Sequence, residues 1–382
     1  MATTRPLFGR AEALFARRCG APTRVFTRAY HPRKLNVNPT RIQSLSERTQ
    51  TRSASTATED NDKGNVWTVK EAAGTSYWDD YLATRPKYDE RIFKPLIEHH
   101  KSNGGSFDKA LDIGSGAGSA VEGLLRHFRH VVSSDNDPMS QEFTRKRFSD
   151  KTDSQLSYTL SKGEDLVQYH EPESFDLMTC AETFPLLDLE QAQKTILTLL
   201  KPGGTLAIWF YGPPFFLEGD DPAEATRIFQ EIVDMNFKPV VSGRDPEGQK
   251  SWKLAADGMH SWLDYIPFPQ DQWQNVHRHK WNTQVRLAFF GPAACDFPIE
   301  PKSSVAKGER TTEDRDDSLW RVSWDLNKLR QFVRASFPRS NWYEADQEFN
   351  PLFEKLGKAM GQDGAARPMS WPAVLVLAQK RA

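Results

Sequence analysis

Apolar and polar positions between residues 90 and 211 follow two alternating periods. Stretches with apolar residues at helical spacing, such as Ile92 and Leu96, are each followed by a short continuous apolar run. The runs predict five buried strands, at 109–113, 130–134, 156–160, 174–180 and 205–211. The intervening stretches predict helices at 90–101, 120–126, 139–148 and 189–200. Strands that alternate with helices indicate an α/β fold around a doubly wound parallel sheet, within a core at 66–212.

Beyond Tyr211 the alternation ends, and Trp, Pro and Phe become frequent. Residues 213–282, with a helix at 223–236, are expected to form a mostly helical, aromatic-rich insertion that covers a site for an organic substrate. The alternative is that these aromatic residues only pack a helical subdomain. Residues 283–382 are expected to complete the sheet. They predict, in order, a sixth strand at 283–290, a polar exposed or disordered segment at 301–317, a helix at 326–337 and a last strand at 371–378.

Residues 1–58 differ in composition from the rest of the chain. Arg, Ser and Thr dominate, and only Glu12 and Glu47 are acidic. This composition resembles a mitochondrial transit peptide, with an amphipathic stretch at 7–18. The alternative is a disordered basic leader that carries no address and leaves the protein in the cytoplasm.

The composition of the 382 residues narrows the class of partner. A net charge of −1 at pH 7 gives no electrostatic reason to expect a nucleic acid or an anionic membrane. Cys19, Cys180 and Cys295 lie far apart and match no spacing of metal ligands or disulfides, so no metal is expected. No apolar run approaches the length that spans a bilayer. The expected partner is therefore a small molecule.

The strongest chemical signal is the glycine-rich stretch that follows the first predicted strand. Gly114, Gly116 and Gly118 alternate before a helix, where glycine permits positive φ and lets the main chain approach a ligand. A dinucleotide fingerprint would be G-x-G-x-x-G, but Ser119 stands where its last glycine would fall. The G-x-G-x-G pattern is that of the S-adenosylmethionine loop in class I methyltransferases. The alternatives are a strand-to-helix turn without a ligand and a nicotinamide oxidoreductase.

Acidic residues follow the next two strands at the spacing that such a cofactor requires. Asp135 lies 21 residues after Gly114, at the tip of the second strand, where a carboxylate accepts hydrogen bonds from ribose hydroxyls. Glu164 and Asp165 follow the third strand, where an acid can accept from the adenine amine, although Asp165 could equally cap the next turn. The remaining cofactor candidates adjoin these motifs and are Asp112, Ser115, Asn136 and Ala181.

From about residue 77 to 217 the chain resembles the yeast-type trans-aconitate methyltransferase family. The matching motifs are Tyr81-x-x-x-Arg85-Pro-x-Tyr88, the glycine loop, Ser134-Asp135, Glu164-Asp165, Met178-Thr-Cys-Ala-Glu182 and Leu200-Lys-Pro-Gly-Gly-Thr-Leu-Ala-Ile-Trp209. The resemblance implies a Rossmann-like sheet of seven strands with S-adenosylmethionine as the cofactor. It carries cofactor roles over to Asp112, Gly114, Gly116, Gly118, Asp135 and Asp165.

One departure from that family concerns the methyl acceptor. Pro185-Leu186 replaces the His-Trp pair that the family usually has after the fourth strand, so we expect an acid larger and more apolar than trans-aconitate, or a hydroxylated metabolite. A carboxylate acceptor needs no base, and Arg85 is the candidate anchor for it. A hydroxyl acceptor needs a base, for which the candidates are Glu182, His260 and His277. The candidate substrate contacts are Tyr81, Tyr88, Phe184 and Trp209.

Together these patterns predict an S-adenosylmethionine-dependent methyltransferase that acts on a carboxylate of a small organic molecule. One alternative is O-methylation of a hydroxyl on an apolar metabolite. Another is a methyltransferase-like binding or assembly factor without catalytic activity. A nucleic-acid or protein methyltransferase is disfavoured, because the fourth strand ends in Ala181-Glu-Thr-Phe184 and lacks the Asn/Asp-Pro-Pro-aromatic motif.

Overall fold

A mixed sheet of eight strands forms the centre of the described chain. The computed structural model describes residues 76–336, 342–361 and 364–381, and the leader predicted at 1–58 lies outside them. The strands of this sheet are β1 (Lys109–Ile113), β2 (His130–Asp135), β3 (Leu156–Leu160), β4 (Phe175–Ala181), β5 (Leu200–Tyr211), β7 (Trp273–Trp281), β8 (Arg310–Asp314) and β11 (Ala373–Lys380). Their order is β3-β2-β1-β4-β5-β11-β7-β8.

The first five strands are parallel, as the alternation of strands and helices predicts. β11 is antiparallel to both of its neighbours, β5 and β7. A smaller antiparallel sheet contains β6 (Phe215–Phe216), β10 (Arg367–Ser370) and β9 (Val322–Trp324) in that order. The carboxyl ends of β1, β2, β4 and β5 therefore meet at one edge of the large sheet, which is where open α/β folds bind their ligands.

Nine α-helices surround the sheets within the described residues. They are α1 (Ser76–Thr84), α2 (Glu90–Ser102), α3 (Ser119–Leu124), α4 (Pro138–Arg147), α5 (Leu189–Leu199), α6 (Pro222–Val241), α7 (Pro246–His260), α8 (Leu326–Arg334) and α9 (Trp342–Met360). Several begin at an aspartate whose carboxylate accepts from the first backbone N–H groups, as Asp137 does for α4 and Asp188 for α5. These caps satisfy donors that have no partner inside the helix.

The α/β fold and the central parallel strands are confirmed, but the sixth strand predicted at 283–290 is wrong. That segment has no regular structure, and only its second half is buried, with Leu287 and Phe290 at most 1% exposed. The strand is instead β7. Its sequence contains two histidines, an arginine and a lysine, so its inward-facing positions do not form an apolar pattern. Arg278 and Lys280 are buried there because Glu309 and Asp264 neutralise them.

The polar segment predicted at 301–317 to be exposed or disordered contains an ordered strand. β8 is mostly exposed, yet it pairs in parallel with β7 and extends the expected seven-stranded sheet to eight strands. β7 itself lies within the predicted insertion at 213–282, so only part of that stretch is helical. No helix in the described ranges combines the length and apolar character needed to cross a bilayer.

Candidate functional site

The glycine loop after β1 has the backbone conformation that its spacing predicts. Gly114, Gly116 and Gly118 have φ of 68°, 51° and 78°, a region that residues with a Cβ rarely adopt. A Cβ on Gly114 would collide with the side chain of Thr183, whereas a Cβ on Gly116 would meet only Trp78, at 4.0 Å. The main chain at Gly116 therefore borders open space beneath one aromatic ring.

Asp135 is held by the glycine loop at the tip of β2. Its Oδ2 accepts from the N–H of Gly116 at 2.8 Å, and its Oδ1 accepts from the N–H of Asp137 at 2.9 Å. Burial raises the pKa of Asp135, and these backbone hydrogen bonds oppose the rise. The Ser140 side chain and the N–H of Asn136 also act on this carboxylate, so its surroundings fix its orientation at the tip of β2.

Asp112, on β1, is buried with one oxygen lacking a partner. Its Oδ1 accepts from the Thr179 hydroxyl at 2.6 Å, and its Oδ2 has no hydrogen-bond partner among the described residues. Burial raises the pKa of Asp112 to about 7. Ser115, a neighbouring candidate, donates through its hydroxyl to the Asp112 carbonyl and helps to close the turn. Burying a carboxylate oxygen without a hydrogen-bond partner is energetically unfavourable. A bound ligand that donates to this oxygen would remove that cost.

The candidates around the adenine-binding prediction occupy the ends of β2 and β3. Asp165 is exposed in the first turn of a 3-10 helix, Gly163–Gln168, where its Oδ1 accepts from the Gln168 amide at 3.3 Å. Glu164 accepts from the N–H of Asp188 at 2.9 Å and so links this turn to the start of α5. Asn136 is exposed beside Asp135. These residues lie near the edge of the sheet where a ligand would bind, and their contact with adenine stays a prediction.

A second group of residues surrounds the guanidinium of Arg85, directly after α1. Its Cζ lies 4.8 Å from the ring centroids of Tyr81 and Phe332 and 5.4 Å from that of Phe289. Nη2 donates to the carbonyl of Ala335 at 3.3 Å. Nε and Nη1 are buried and have no hydrogen-bond partner among the described residues. A buried cation with two nitrogens unpartnered is a candidate anion-binding group.

Glu182 lies beside this arginine and connects β4 to β5. Its N–H donates to the Trp209 carbonyl at 3.0 Å, and its Oε1 accepts from the N–H of Tyr211 at 2.6 Å. Its φ is 61°, unusual for a residue with a side chain. Burial raises the pKa of Glu182 well above its ordinary value, although the Tyr211 N–H and the Arg85 charge act to lower it. Glu182 is therefore both a structural link and an acid with an altered proton affinity.

The Arg85 cluster, defined here as Tyr81, Arg85, Glu182 and Tyr211, joins three predicted site residues with one that the sequence analysis missed. Tyr81 and Tyr211 act on each other electrostatically, and burial raises the pKa of both phenols. Tyr88 stacks edge-on against Trp209 and Tyr211, with centroid distances of 5.2 and 6.3 Å. In the sequence, Tyr211 is identified only as the last residue of a predicted strand. Its position at the carboxyl end of that strand is the feature that could have placed it in the site.

Two predicted substrate contacts are core residues. Phe184 is fully buried and Trp209 is 1% exposed, packing through its ring against Phe93 of α2. Of the Pro185-Leu186 pair that replaces the family's His-Trp pair, Pro185 is buried but Leu186 is 41% exposed. Ala181, by contrast, ends β4 beside the site and is partly accessible.

The structure does not bring either candidate histidine into the Arg85 cluster. Nε2 of His260 bonds to the Phe290 carbonyl at 2.9 Å, and the charged neighbours of His260 are Arg286, Asp234 and Asp257. His277 lies on β7, where it bonds to the Thr312 hydroxyl at 3.0 Å. Burial lowers the pKa of His277 to about 4. Both rings fill packing roles, so the geometry does not support His260 as a catalytic base.

Comparisons with known proteins agree with this arrangement. The family described as "Methyltransferase domain" matches residues 111–208. Methyltransferase pgmE of Aspergillus terreus is 34% identical over 338 residues, which cover 86% of this chain and 99% of that protein. Methyltransferase ptaI of Pestalotiopsis fici is 34% identical over 319 residues, covering 81% and 94% of the two chains. The probable S-adenosylmethionine-dependent methyltransferase CRG1 of Saccharomyces cerevisiae is 23% identical over 263 residues, covering 69% and 79%.

The sheet, the glycine loop and these matches define a class I S-adenosylmethionine-dependent methyltransferase. Within that class, the chain belongs to the same family as the fungal methyltransferases pgmE and ptaI. This membership supports a methyltransferase enzyme. It argues against both alternatives, the nicotinamide oxidoreductase and the non-catalytic binding or assembly factor. None of the three relatives named here is described as a trans-aconitate methyltransferase.

The described residues fit the cofactor that this family uses. A sulfonium nucleoside presents ribose hydroxyls and an ammonium as donors, and the structure offers acceptors at Asp135 and at the unpartnered Oδ2 of Asp112. Gly116 leaves the approach to the main chain open. No cluster of His, Cys, Asp or Glu placed to bind a metal occurs within residues 76–336, 342–361 and 364–381.

Proposed function

We propose that the enzyme transfers the methyl group of S-adenosylmethionine to a carboxylate oxygen of a small organic acid. The observation that carries this proposal is the buried Arg85 guanidinium, whose hydrogen bond within the described part of the chain goes to a neutral carbonyl. Glu182 is the acid whose charge acts on this arginine, but burial raises the pKa of Glu182 well above its ordinary value, which favours its neutral form. A bound carboxylate would supply the counter-charge that a protonated Glu182 does not. The surrounding aromatic rings favour an acid with a substantial apolar part, larger than trans-aconitate.

Cofactor binding is assigned to the residues at the ends of β1 and β2. Asp135 would accept hydrogen bonds from the ribose hydroxyls, and Asp112 would accept from the ammonium of the methionine part. When bound, the cofactor would supply an electrophilic methyl group on a positively charged sulfur, and its transfer to the acceptor oxygen would leave a neutral thioether. A carboxylate brings no proton to this step, so the protein's task is to position both molecules and exclude water.

Methylation of a hydroxyl is a second candidate, and Glu182 is the observation that favours it. A hydroxyl acceptor must lose a proton, and a carboxyl group with a raised pKa is better matched to that task than an ordinary one. In this case Arg85 would stabilise the developing oxyanion. The two candidates differ in which side chain limits the rate.

The experiment begins by incubating purified enzyme and S-adenosylmethionine with metabolite extracts, with mass spectrometry to identify the methylated product. With that acceptor in hand, Arg85→Ala and Glu182→Gln are compared with Arg129→Ala, a matched control whose side chain is 80% exposed. For a carboxylate acceptor, Arg85→Ala should lower kcat/KM at least 100-fold and the control should not change it. The wild-type rate should stay flat from about pH 6 to 9, because an ordinary carboxylic acid is ionised throughout that window.

A different pattern would contradict carboxylate methylation. If the product is a methyl ether, if the rate rises with pH across that window, and if Glu182→Gln is nearly inactive, the hydroxyl candidate is correct. If neither variant loses activity, the Arg85 cluster is not the acceptor site.

We also propose that residues 1–58 direct the protein to mitochondria, on the basis of their arginine-rich, acid-poor composition. Fusion of these residues to a fluorescent protein tests this proposal. A signal that stays in the cytoplasm would contradict it.

A further inference from the structure

Trp78, on α1, covers the glycine loop. Its Cζ3 is the atom that a Cβ on Gly116 would meet, at 4.0 Å. The indole packs against Tyr77, Tyr81 and Phe143, with centroid distances of 5.0, 5.5 and 6.0 Å. These contacts fix the ring above the segment of main chain that borders open space. None of the motifs used to predict the cofactor site includes this residue.

The indole N–H of Trp78 is a buried donor without an acceptor. The residue is 9% exposed, and Nε1 has no hydrogen-bond partner among the described residues. Together with Ala117 and Tyr77, Trp78 forms an apolar group that supplies packing but no acceptor to this donor. Among the described residues, Trp209, Trp273, Trp320 and Trp371 also have a buried Nε1 without a partner. Trp78 differs from them in its position over Gly116 of the glycine loop, where a bound ligand can be the acceptor.

We propose that the indole N–H of Trp78 donates a hydrogen bond to an oxygen of bound S-adenosylmethionine. The cofactor carries acceptor oxygens on the carboxylate of its methionine part and on its ribose, the two parts of the molecule assigned above to Asp112 and Asp135. The inference rests on the proposed cofactor site, and it adds α1 to that site. Because the same helix carries Tyr81 against Arg85, α1 would contact the cofactor at one position and the acceptor site at the next turn.

Trp273 provides a matched control for Trp78. It is also buried, at 2% exposed, and its Nε1 also lacks a partner. It lies on β7 and packs against Phe268, away from the glycine loop. Replacing either tryptophan with Phe keeps an aromatic ring and removes the indole N–H.

The first measurement is the affinity for S-adenosylmethionine and S-adenosylhomocysteine by calorimetry. Trp78→Phe should bind both molecules roughly tenfold more weakly than wild type, the usual effect of losing one hydrogen bond, whereas Trp273→Phe should bind them normally. Thermal unfolding of both variants checks that the fold is retained.

The second measurement observes the donor directly in the intact protein. In the spectrum of ¹⁵N-labelled enzyme, the indole N–H resonance missing from Trp78→Phe belongs to Trp78. Phe143→Leu, which removes an adjoining ring, should shift the same resonance and gives an independent assignment if Trp78→Phe does not fold. Addition of S-adenosylhomocysteine should move the Trp78 proton downfield and leave that of Trp273 in place.

The outcomes separate this inference from the proposed function. If wild type binds neither molecule, the cofactor site itself is wrong. If wild type binds them, but Trp78→Phe binds equally well and the Trp78 resonance does not move, the role of Trp78 alone is overturned.

Discussion

Gly116 combines two properties that can be separated by experiment: a left-handed backbone and a position next to open space. Alanine at this position should cost about 1 kcal/mol of stability, because φ is 51°. Its methyl group would also stand between the loop and Trp78. We expect Gly116→Ala to fold and to bind S-adenosylmethionine at least tenfold more weakly, as measured by thermal unfolding and calorimetry.

Gly243 supplies the comparison for that variant. Its φ is 68°, and a Cβ there would meet nothing within 4 Å. Gly243→Ala should therefore show a similar loss of stability with unchanged cofactor affinity. Equal affinity in the two variants would mean that the cofactor does not approach the main chain at Gly116.

Asp112 should make the stability of the cofactor-free enzyme depend on pH. Burial raises its pKa from 3.8 to about 7 in the folded state, so the folded chain holds a proton that the unfolded chain releases between about pH 4 and 7. The stabilising effect of the protonated group is complete below about pH 4 and is lost as the pH rises towards 7. Asp112→Asn cannot titrate and should lack this dependence.

Urea denaturation of wild type and Asp112→Asn at intervals from pH 5 to 8 gives the measurement. The free energy of unfolding of wild type should fall relative to that of the variant up to about pH 7 and then level off. Asp135, the nearby acid that also raises the pKa of Asp112, is present in both proteins. A difference that does not vary with pH would show that Asp112 ionises normally in the folded enzyme.

At the level of elements, a buried ion pair joins β7 to the residue that directly precedes β8. Arg278 is fully buried, and its Nε donates to Glu309 Oε2 at 2.7 Å. Its other nitrogens donate to the carbonyls of Leu263 and Ile266 at 2.9 and 2.8 Å. Glu309→Ala would leave this cation buried without its closest carboxylate. We expect a loss of about 3–5 kcal/mol, measured by urea denaturation.

Arg310→Ala is the control for that variant, because Arg310 is the next residue along the chain and is exposed at the start of β8. It should change stability by less than about 0.5 kcal/mol. A loss below about 1 kcal/mol for Glu309→Ala would show that water or Asp264 compensates the arginine, since Asp264 Oδ1 lies 3.8 Å from Nη1.

The same pair explains where prediction of the elements failed. β1 to β5 are buried by apolar side chains, and their pattern located them to within a few residues except at the start of β5. β7 buries Arg278 and Lys280. Charged residues indicate surface positions in a sequence pattern, and these two are buried only because acids distant in sequence neutralise them. Local periodicity contains no information about such partners, so the apolar segment that follows was mistaken for the strand.

At the scale of the whole molecule, the two parts of the site differ in how far their residues lie apart along the chain. The glycine loop and Asp135 belong to one strand-helix-strand unit, and their spacing in the sequence predicts that they lie close together. In the structure, the N–H of Gly116 donates to Asp135 Oδ2 at 2.8 Å. The Arg85 cluster instead depends on tertiary packing, because Arg85 reaches Ala335, 250 positions later. Tyr211 and Trp78 were missed for the same reason, whereas the motif around Tyr81 and Arg85 located one side of the cluster.

β11 lies between β5 and β7 in the large sheet, although it is synthesised after both of them. Until residues 373–380 have emerged, β5 and β7 cannot both be paired as they are in the finished sheet. An unpaired edge of an apolar strand such as β5 invites pairing with other chains, so the nascent protein would need a chaperone or rapid completion. A premature stop codon ahead of residue 373 would make this exposure permanent and turn a late truncation into an aggregating product.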